Sequence, residues 1–120
     1  MNDLEDRIVA FVARCIKVCG ALPAKSVGSA GFSDQLFRAS TSVAANYAEA
    51  CEAESRKDFV HKLKVAMKEL SETRIWLKLV GESGYAEKGK LAPLVEEAVE
   101  IARILSASVI TARRKMAEEE

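Results

Sequence analysis

The sequence contains no long apolar run: its hydrophobic stretches stay well short of the roughly 20 consecutive positions that a membrane-spanning helix needs. Its first residues, MNDLEDRIVAFVARC, open acidic and carry charges within their apolar part, unlike a secretory signal. Proline and glycine are also scarce, at 2 and 6 residues, which argues against a disordered chain. We therefore expect a compact, cytoplasmic protein that makes no contact with a membrane.

Cysteine and histidine are too few to announce a disulfide framework or a metal site. There are 3 cysteines, an odd number, and 1 histidine. Cys15, Cys19, Cys51 and His61 could be imagined as zinc ligands, but no short C-x-x-C knuckle is present. The two thiols of the first predicted helix share its apolar face, where cysteine behaves as a small hydrophobic residue. We expect reduced thiols and no metal.

The motifs that announce catalysis are absent as well. The sequence has no E-x-x-H pair of the di-iron bundle type, no phosphate-binding glycine loop and no G-x-S-x-G elbow. Its carboxylates, such as Glu96, Glu97 and Glu100, fit the solvated face of a helix. The sequence therefore predicts no catalytic residue, no cofactor and no small-molecule substrate.

Net charge of either sign is lacking too, because 18 basic residues balance 18 acidic ones. A neutral chain produces no global field that would draw it to nucleic acid or to an anionic membrane. Any binding to phosphates must come from a local patch.

What the sequence does contain is helical periodicity throughout. Apolar residues repeat every three or four positions in four segments, and 120 residues suit one domain. Pro23 ends the first segment, AKSVGSAG has the composition of an exposed loop, and Ser33 is a plausible N-cap. Ser55 with Asp58 resembles a capping box after a tight turn. We predict an all-α, antiparallel, up-and-down four-helix bundle over residues 1–120, with helices at about 3–21, 33–53, 56–82 and 91–116.

The second helix carries an unusual line of polar side chains. They recur at spacings of three and four, with alanines between them: Gln35, Arg38, Ser42, Asn46 and Glu49. Such a line suits a seam where another helix comes close, rather than a lysine- and glutamate-rich solvated face. We predict that Arg38 and Glu49 find partners on a neighbouring helix or subunit, and that Asn46 is satisfied from outside its own helix.

The third helix has two apolar faces. Its main stripe includes Phe59, Leu63 and Leu70, and a second set lies some 80–100° away around the helix by the geometry of 3.6 residues per turn: Val65, Trp76 and Val80. One interpretation places the second set against another subunit, with Trp76 as interface anchor. The other is that Trp76 caps the end of the monomer core.

Basic residues also gather on one side of the third helix. Lys57, His61, Lys64 and Lys68 share a face, with Lys78 near its continuation. Repeated around a ring, such a stripe could contact the phosphates of nucleic acid. The alternative is a solvated lysine face, which most amphipathic helices possess.

The run QLFRASTSVAANYAEA, followed by SRKDFVHKLKVAMKELSETRIWLKL and GY, resembles the proteins encoded in intervening sequences of bacterial 23S ribosomal RNA genes. The family pattern, roughly Q-L-x-R-A-x-x-S-I-x-x-N-I-A-E-G, is matched at eight positions, and Ala50 stands where the family usually has glycine. The matching residues are Gln35, Leu36, Arg38, Ala39, Ser42, Asn46, Ala48 and Glu49.

The resemblance implies a four-helix protomer that assembles into a cyclic homopentamer. A relative of this fold, the accessory protein of diversity-generating retroelements, partners a reverse transcriptase and binds nucleic acid. The sequence and the resemblance together favour a non-enzymatic assembly module that binds RNA, DNA or a nucleoprotein through the basic face of its third helix. A scaffold that binds only protein partners is the alternative.

Overall fold

A computed structural model describes residues 3–23 and 27–119 of the chain. Within these ranges the structure is an all-α bundle of four helices, as predicted. The helices are α1 (Asp3–Ala21), α2 (Val27–Cys51), α3 (Arg56–Glu82) and α4 (Lys88–Glu118). The bundle measures 55 × 24 × 22 Å, so it is an elongated rod.

The predicted bounds of α1 and α3 are confirmed, whereas those of α2 and α4 differ from the structure. The α2 helix begins six residues before the predicted position 33 and ends two residues before 53, and α4 extends from Lys88 to Glu118 instead of 91–116. Pro93 therefore lies inside α4, in its second turn. Pro93 lies beyond the four N–H groups that lack a partner at a helix start, so it removes the helical hydrogen bond to the carbonyl of Gly89.

The early start of α2 corrects the prediction that the segment AKSVGSAG is a loop. Its residues 24–26 lie outside the described ranges, but from Val27 onward the chain is helical. Gly28 packs so closely on Tyr85 that a Cβ atom at position 28 would lie 2.7 Å from the tyrosine hydroxyl oxygen. Ser29 is buried and donates a hydrogen bond to the backbone carbonyl of Pro23. The small residues therefore permit close packing of the first turn.

The connection between α2 and α3 agrees with the prediction. The Ser55 hydroxyl accepts a hydrogen bond from the backbone N–H of Asp58 at 3.1 Å, so Ser55 is the N-cap of α3. Ser33, by contrast, lies within α2 and is not an N-cap. After α3 the chain turns through Gly84, whose φ of +80° suits glycine.

Each helix packs chiefly on its neighbours along the chain, and α1 and α4 touch only sparsely. The apolar core is formed by leucine, isoleucine and alanine side chains from all four helices, with Phe11 as its largest fully buried member. With 19 residues, α1 spans about 28 Å, whereas the 31 residues of α4 span about 46 Å. Part of α4 therefore has no α1 residue beside it.

One ion pair bridges the sparse seam between α1 and α4. The Arg7 guanidinium donates to both carboxylate oxygens of Glu97, at 2.8 and 2.7 Å. This bidentate hydrogen bonding lowers the pKa of Glu97 below its ordinary value of 4.5.

The lowered pKa of Glu97 predicts an acid-dependent loss of stability. A carboxylate with a depressed pKa in the folded state stabilises that state above its unfolded pKa, and the contribution disappears as the pH falls through the folded value. We expect Arg7→Gln to lower the urea midpoint near neutral pH and to have a smaller effect at an acidic pH below the lowered pKa of folded Glu97, where Glu97 is protonated in both proteins. Lys17→Gln on the same helix is the control, and an Arg7→Gln effect that is equal at both pH values would contradict the prediction.

Candidate nucleic-acid interface

The outward face of α3 carries a row of three exposed lysines and one exposed histidine along its N-terminal half. Lys57, His61, Lys64 and Lys68 follow one another at spacings of four, three and four, which places them on one side of the helix. All four are exposed, and none forms an ion pair with any residue in 3–23 or 27–119. We call these four residues the lysine stripe.

The remaining basic residues of α3 behave differently. Lys62, one position beyond His61, turns toward α2 and lies 3.4 Å from a carboxylate oxygen of Glu49. Lys78, predicted near the continuation of the stripe, is exposed and follows Lys64 at a spacing of fourteen, which keeps it near that face. It lies on the side toward α4, where it lines a cavity of about 260 Å³ together with Glu82 and Lys88.

Two apolar side chains lie directly in line with the lysine stripe in the second half of α3. Ile75 and Leu79 follow Lys68 at spacings of seven and eleven and are 44% and 39% exposed. The outward face of α3 is therefore basic in its first half and apolar in its second.

Charge is divided unequally between the helices of the bundle. The helices α3 and α4 contain thirteen basic and eight acidic residues, whereas α1 and α2 contain four basic and five acidic ones. The turns that flank α3 and α4 add four glutamates, so residues 52–119 carry thirteen basic and twelve acidic residues. The charge available to a phosphate is therefore the local charge of the lysine stripe.

The polar line of α2 contributes two partners to α3, as predicted for Arg38 and Glu49. Arg38 donates to Glu69 at 2.9 Å and to Glu72 at 3.3 Å, and Glu49 accepts from Lys62. The side chain of Glu69 is only 10% exposed, so Arg38 neutralises a largely buried carboxylate. These contacts lie inside one protomer and hold α2 against α3.

The prediction for Asn46 is wrong. Its side-chain amide donates to the backbone carbonyl of Ser42, one turn earlier in the same helix, at 2.9 Å. Gln35 likewise accepts from the Arg38 guanidinium on its own helix, at 3.3 Å. A half-buried asparagine can therefore be satisfied locally, because its amide reaches the carbonyl four residues back.

The second apolar set of α3 faces α2 of the same protomer. Val80 is fully buried in the protomer core, so its predicted role at a subunit interface is wrong. The Trp76 ring packs against Phe32 at a centroid distance of 6.2 Å, and Phe32 in turn contacts Tyr85 at 5.8 Å. Val65 is half-buried. The interpretation that Trp76 caps the monomer core agrees with these contacts.

The comparisons with known proteins agree with this architecture. The family described as 23S rRNA-intervening sequence protein matches residues 3–107. The chain belongs to this family. A solved structure from Bacteroides thetaiotaomicron VPI-5482, described as a protein with unknown function from the S23 ribosomal protein family, superposes with a TM-score of 0.80. It is 30% identical in sequence, and the alignment covers 88% of this chain and 97% of that one. No functionally curated protein matches.

This member of the 23S rRNA-intervening sequence family also exposes an apolar patch on its first two helices. Val9 and Ile16 of α1 are 54% and 40% exposed, and Phe37 of α2 is 50% exposed. The Cys19 thiol donates to the Ser33 carbonyl, which fixes the antiparallel register and brings Ile16 level with Phe37. We call Val9, Ile16 and Phe37 the α1–α2 patch. Sequence periodicity could have found it, because these residues lie off the core stripes.

The two thiols on α1 of this family member are poorly suited to chemistry. Burial raises the pKa of Cys15 to about 12, and burial also raises the pKa of Cys19. Among the described residues, no three His, Cys, Asp or Glu side chains come together in a way that could hold a metal ion. In the same part of the chain, no helix is long and apolar enough to cross a bilayer.

Proposed function

We propose that this protein is a non-enzymatic, cytoplasmic assembly module whose lysine stripe binds the phosphates of RNA or DNA. The observation that supports the proposal is the stripe itself. Its three lysines are exposed and have no carboxylate partner in the described ranges, whereas Arg7, Arg38 and Lys62 are all engaged in ion pairs. Unpaired cations in a row are the usual footprint of contact with a phosphate backbone.

The zero net charge of the chain does not oppose this function. The lysine stripe occupies one part of a rod 55 Å long, and salt screens charges beyond about 8 Å at physiological ionic strength. A bound strand therefore responds to the local stripe, and acidic residues farther away than this have little effect on it.

We also propose that protomers assemble into a homo-oligomer, with the homopentamer of the family resemblance as the leading form. The α1–α2 patch offers exposed apolar area for such contacts, on helices other than the one that bears the lysine stripe. Assembly would bring several copies of the stripe to one particle. Binding would then gain from multivalency, because each further contact is intramolecular.

A second candidate function is a scaffold for protein partners alone. The exposed Ile75 and Leu79 favour it, because apolar side chains on an outward helix face are typical of protein interfaces. In that case the lysine stripe would be an ordinary solvated face.

Fluorescence anisotropy with labelled RNA and DNA distinguishes the two functions. We expect the assembled protein to bind at about 50 mM salt and to lose affinity steeply as salt rises. Lys57→Gln, Lys64→Gln and Lys68→Gln together should make the slope of log affinity against log salt shallower by about 2 for each protomer in contact with a strand, while assembly stays intact.

A matched triple variant removes the same charge elsewhere. Arg14→Gln, Lys17→Gln and Lys90→Gln also neutralise three exposed cations, on α1 and α4. This variant should retain the affinity and the salt slope of the wild type. Equal losses of affinity in both triple variants would mean that the lysine stripe acts only through nonspecific charge. No binding of the wild type at low salt would favour the protein scaffold as the function.

A further inference from the structure

A groove runs between α3 and α4 beside the lysine stripe. It encloses about 310 Å³, and its rim is formed by Ser71 and Arg74 of α3 and by Arg103 and Ser106 of α4. Its floor is apolar and includes Ala102. We call this the arginine groove.

The rim of the arginine groove consists of hydrogen-bond donors that the fold leaves available. Arg74 has no ion pair, and the hydroxyls of Ser71 and Ser106 have no hydrogen-bond partner within residues 3–23 and 27–119. Other hydroxyls, such as those of Thr73 and Ser108, bond back to a carbonyl of the preceding turn. The hydroxyls of Ser71 and Ser106 make no such bond, so they remain available to a ligand.

The charge around the arginine groove favours an anion. Arg103 is held by Glu100 of its own helix, which fixes one side of its guanidinium and leaves other N–H groups exposed. No carboxylate is among the residues that line the groove. Two guanidinium groups and two hydroxyls around one opening suit phosphate, which offers several acceptor oxygens.

The floor and the size of the arginine groove restrict which ligand it can bind. A volume of about 310 Å³ is at the lower end of small-ligand pockets, so it could hold one nucleotide but not a duplex. The apolar floor matches the face of a nucleobase. In a duplex that face is stacked inside the helix, whereas in a single strand it can turn outward.

The arginine groove is also continuous with the lysine stripe. Ser71 follows Lys64 and Lys68 at spacings of seven and three, on the side of α3 that faces α4. A strand whose phosphates follow the stripe would therefore reach the groove directly.

We propose that the arginine groove binds one unpaired nucleotide, with its phosphate on the arginine and serine rim and its base on the apolar floor. This inference rests on the proposed nucleic-acid function and gives it a preference: single-stranded RNA or DNA binds more tightly than a duplex of the same sequence.

The test fills the floor without changing any charge. Ala102→Leu in the assembled protein should weaken binding of a labelled single strand about tenfold or more, the usual effect of a size mismatch in an apolar pocket. The affinity for the matching duplex and both salt slopes should stay unchanged. Ala107→Leu, an exposed site of the same helix away from the groove, adds the same bulk and should have no effect.

A second variant tests the arginine groove even if Ala102→Leu fails to fold. Ser71→Ala with Ser106→Ala removes only the two hydroxyls, at positions where alanine favours the helix. It should weaken single-strand binding and spare the duplex. If the lysine triple variant loses binding while this double variant binds single strands like the wild type, the groove proposal is overturned and the stripe stands. Equal affinity of the wild type for both strand forms would also overturn it, and no binding at all would remove both proposals.

Discussion

Leu77→Ala is expected to lower the free energy of unfolding by about 3 kcal/mol, the usual cost of a cavity left by a buried leucine. Leu77 is 0% exposed and contributes to the packing of α3 within the bundle. Leu79, two positions later on the same helix, is 39% exposed. Leu79→Ala should therefore change stability by only about 0.5 kcal/mol or less, as is usual for surface positions.

Urea unfolding followed by circular dichroism measures this difference. Both variants must be compared at one protomer concentration, because self-association would stabilise the folded state by mass action. The two substitutions remove the same atoms from the same helix, so propensity cancels. Equal destabilisation by Leu77→Ala and Leu79→Ala would mean that Leu79 is covered in the assembled protein.

Trp76→Ala is expected to destabilise the protomer by roughly 2–4 kcal/mol, because it removes a large ring that packs on Phe32. The indole Nε1 of Trp76 is buried and has no hydrogen-bond partner in the described part of the chain. Trp76→Phe discards this unsatisfied group and retains an aromatic ring, so it should cost much less. Thermal unfolding should therefore give a lower midpoint for Trp76→Ala than for Trp76→Phe.

Self-association, unlike stability, should depend more on Phe37 than on Trp76. Phe37→Ala removes an exposed ring from the α1–α2 patch, so it should weaken self-association more than Trp76→Ala does, when both are measured by analytical ultracentrifugation under conditions where they are folded. A Trp76→Ala variant that is fully folded but monomeric would restore the interpretation of Trp76 as an interface anchor.

Where sequence predicted structure well, a single local signal decided the outcome. The 3.6-residue apolar period indicated α1 and α3, Pro23 marked the end of α1, and Ser55 followed by Asp58 marked the start of α3. The same applies to the exposed lysine stripe, since its spacing alone places it on one face.

Where sequence failed, the deciding contact was distant along the chain. The glycines and serines before Phe32 have the composition of a loop, and only the approach of Tyr85 to Gly28 explains why they form a helical turn. The arginine groove needed the register of α3 against α4, which no local pattern of Ser71 or Arg103 reveals.

The order in which the helices pack also affects how the chain reaches its native state. Most contacts join helices that are consecutive in sequence, and the sparse contact between α1 and α4 is the one that joins the two ends of the chain. Because consecutive helices are joined by short connections, little entropy is lost when they pack and the relative contact order is low. We therefore expect folding in the microsecond-to-millisecond range of helical bundles. Because α1 packs mainly on α2, it can detach while the other three helices stay together, as the most easily opened unit of the native protein.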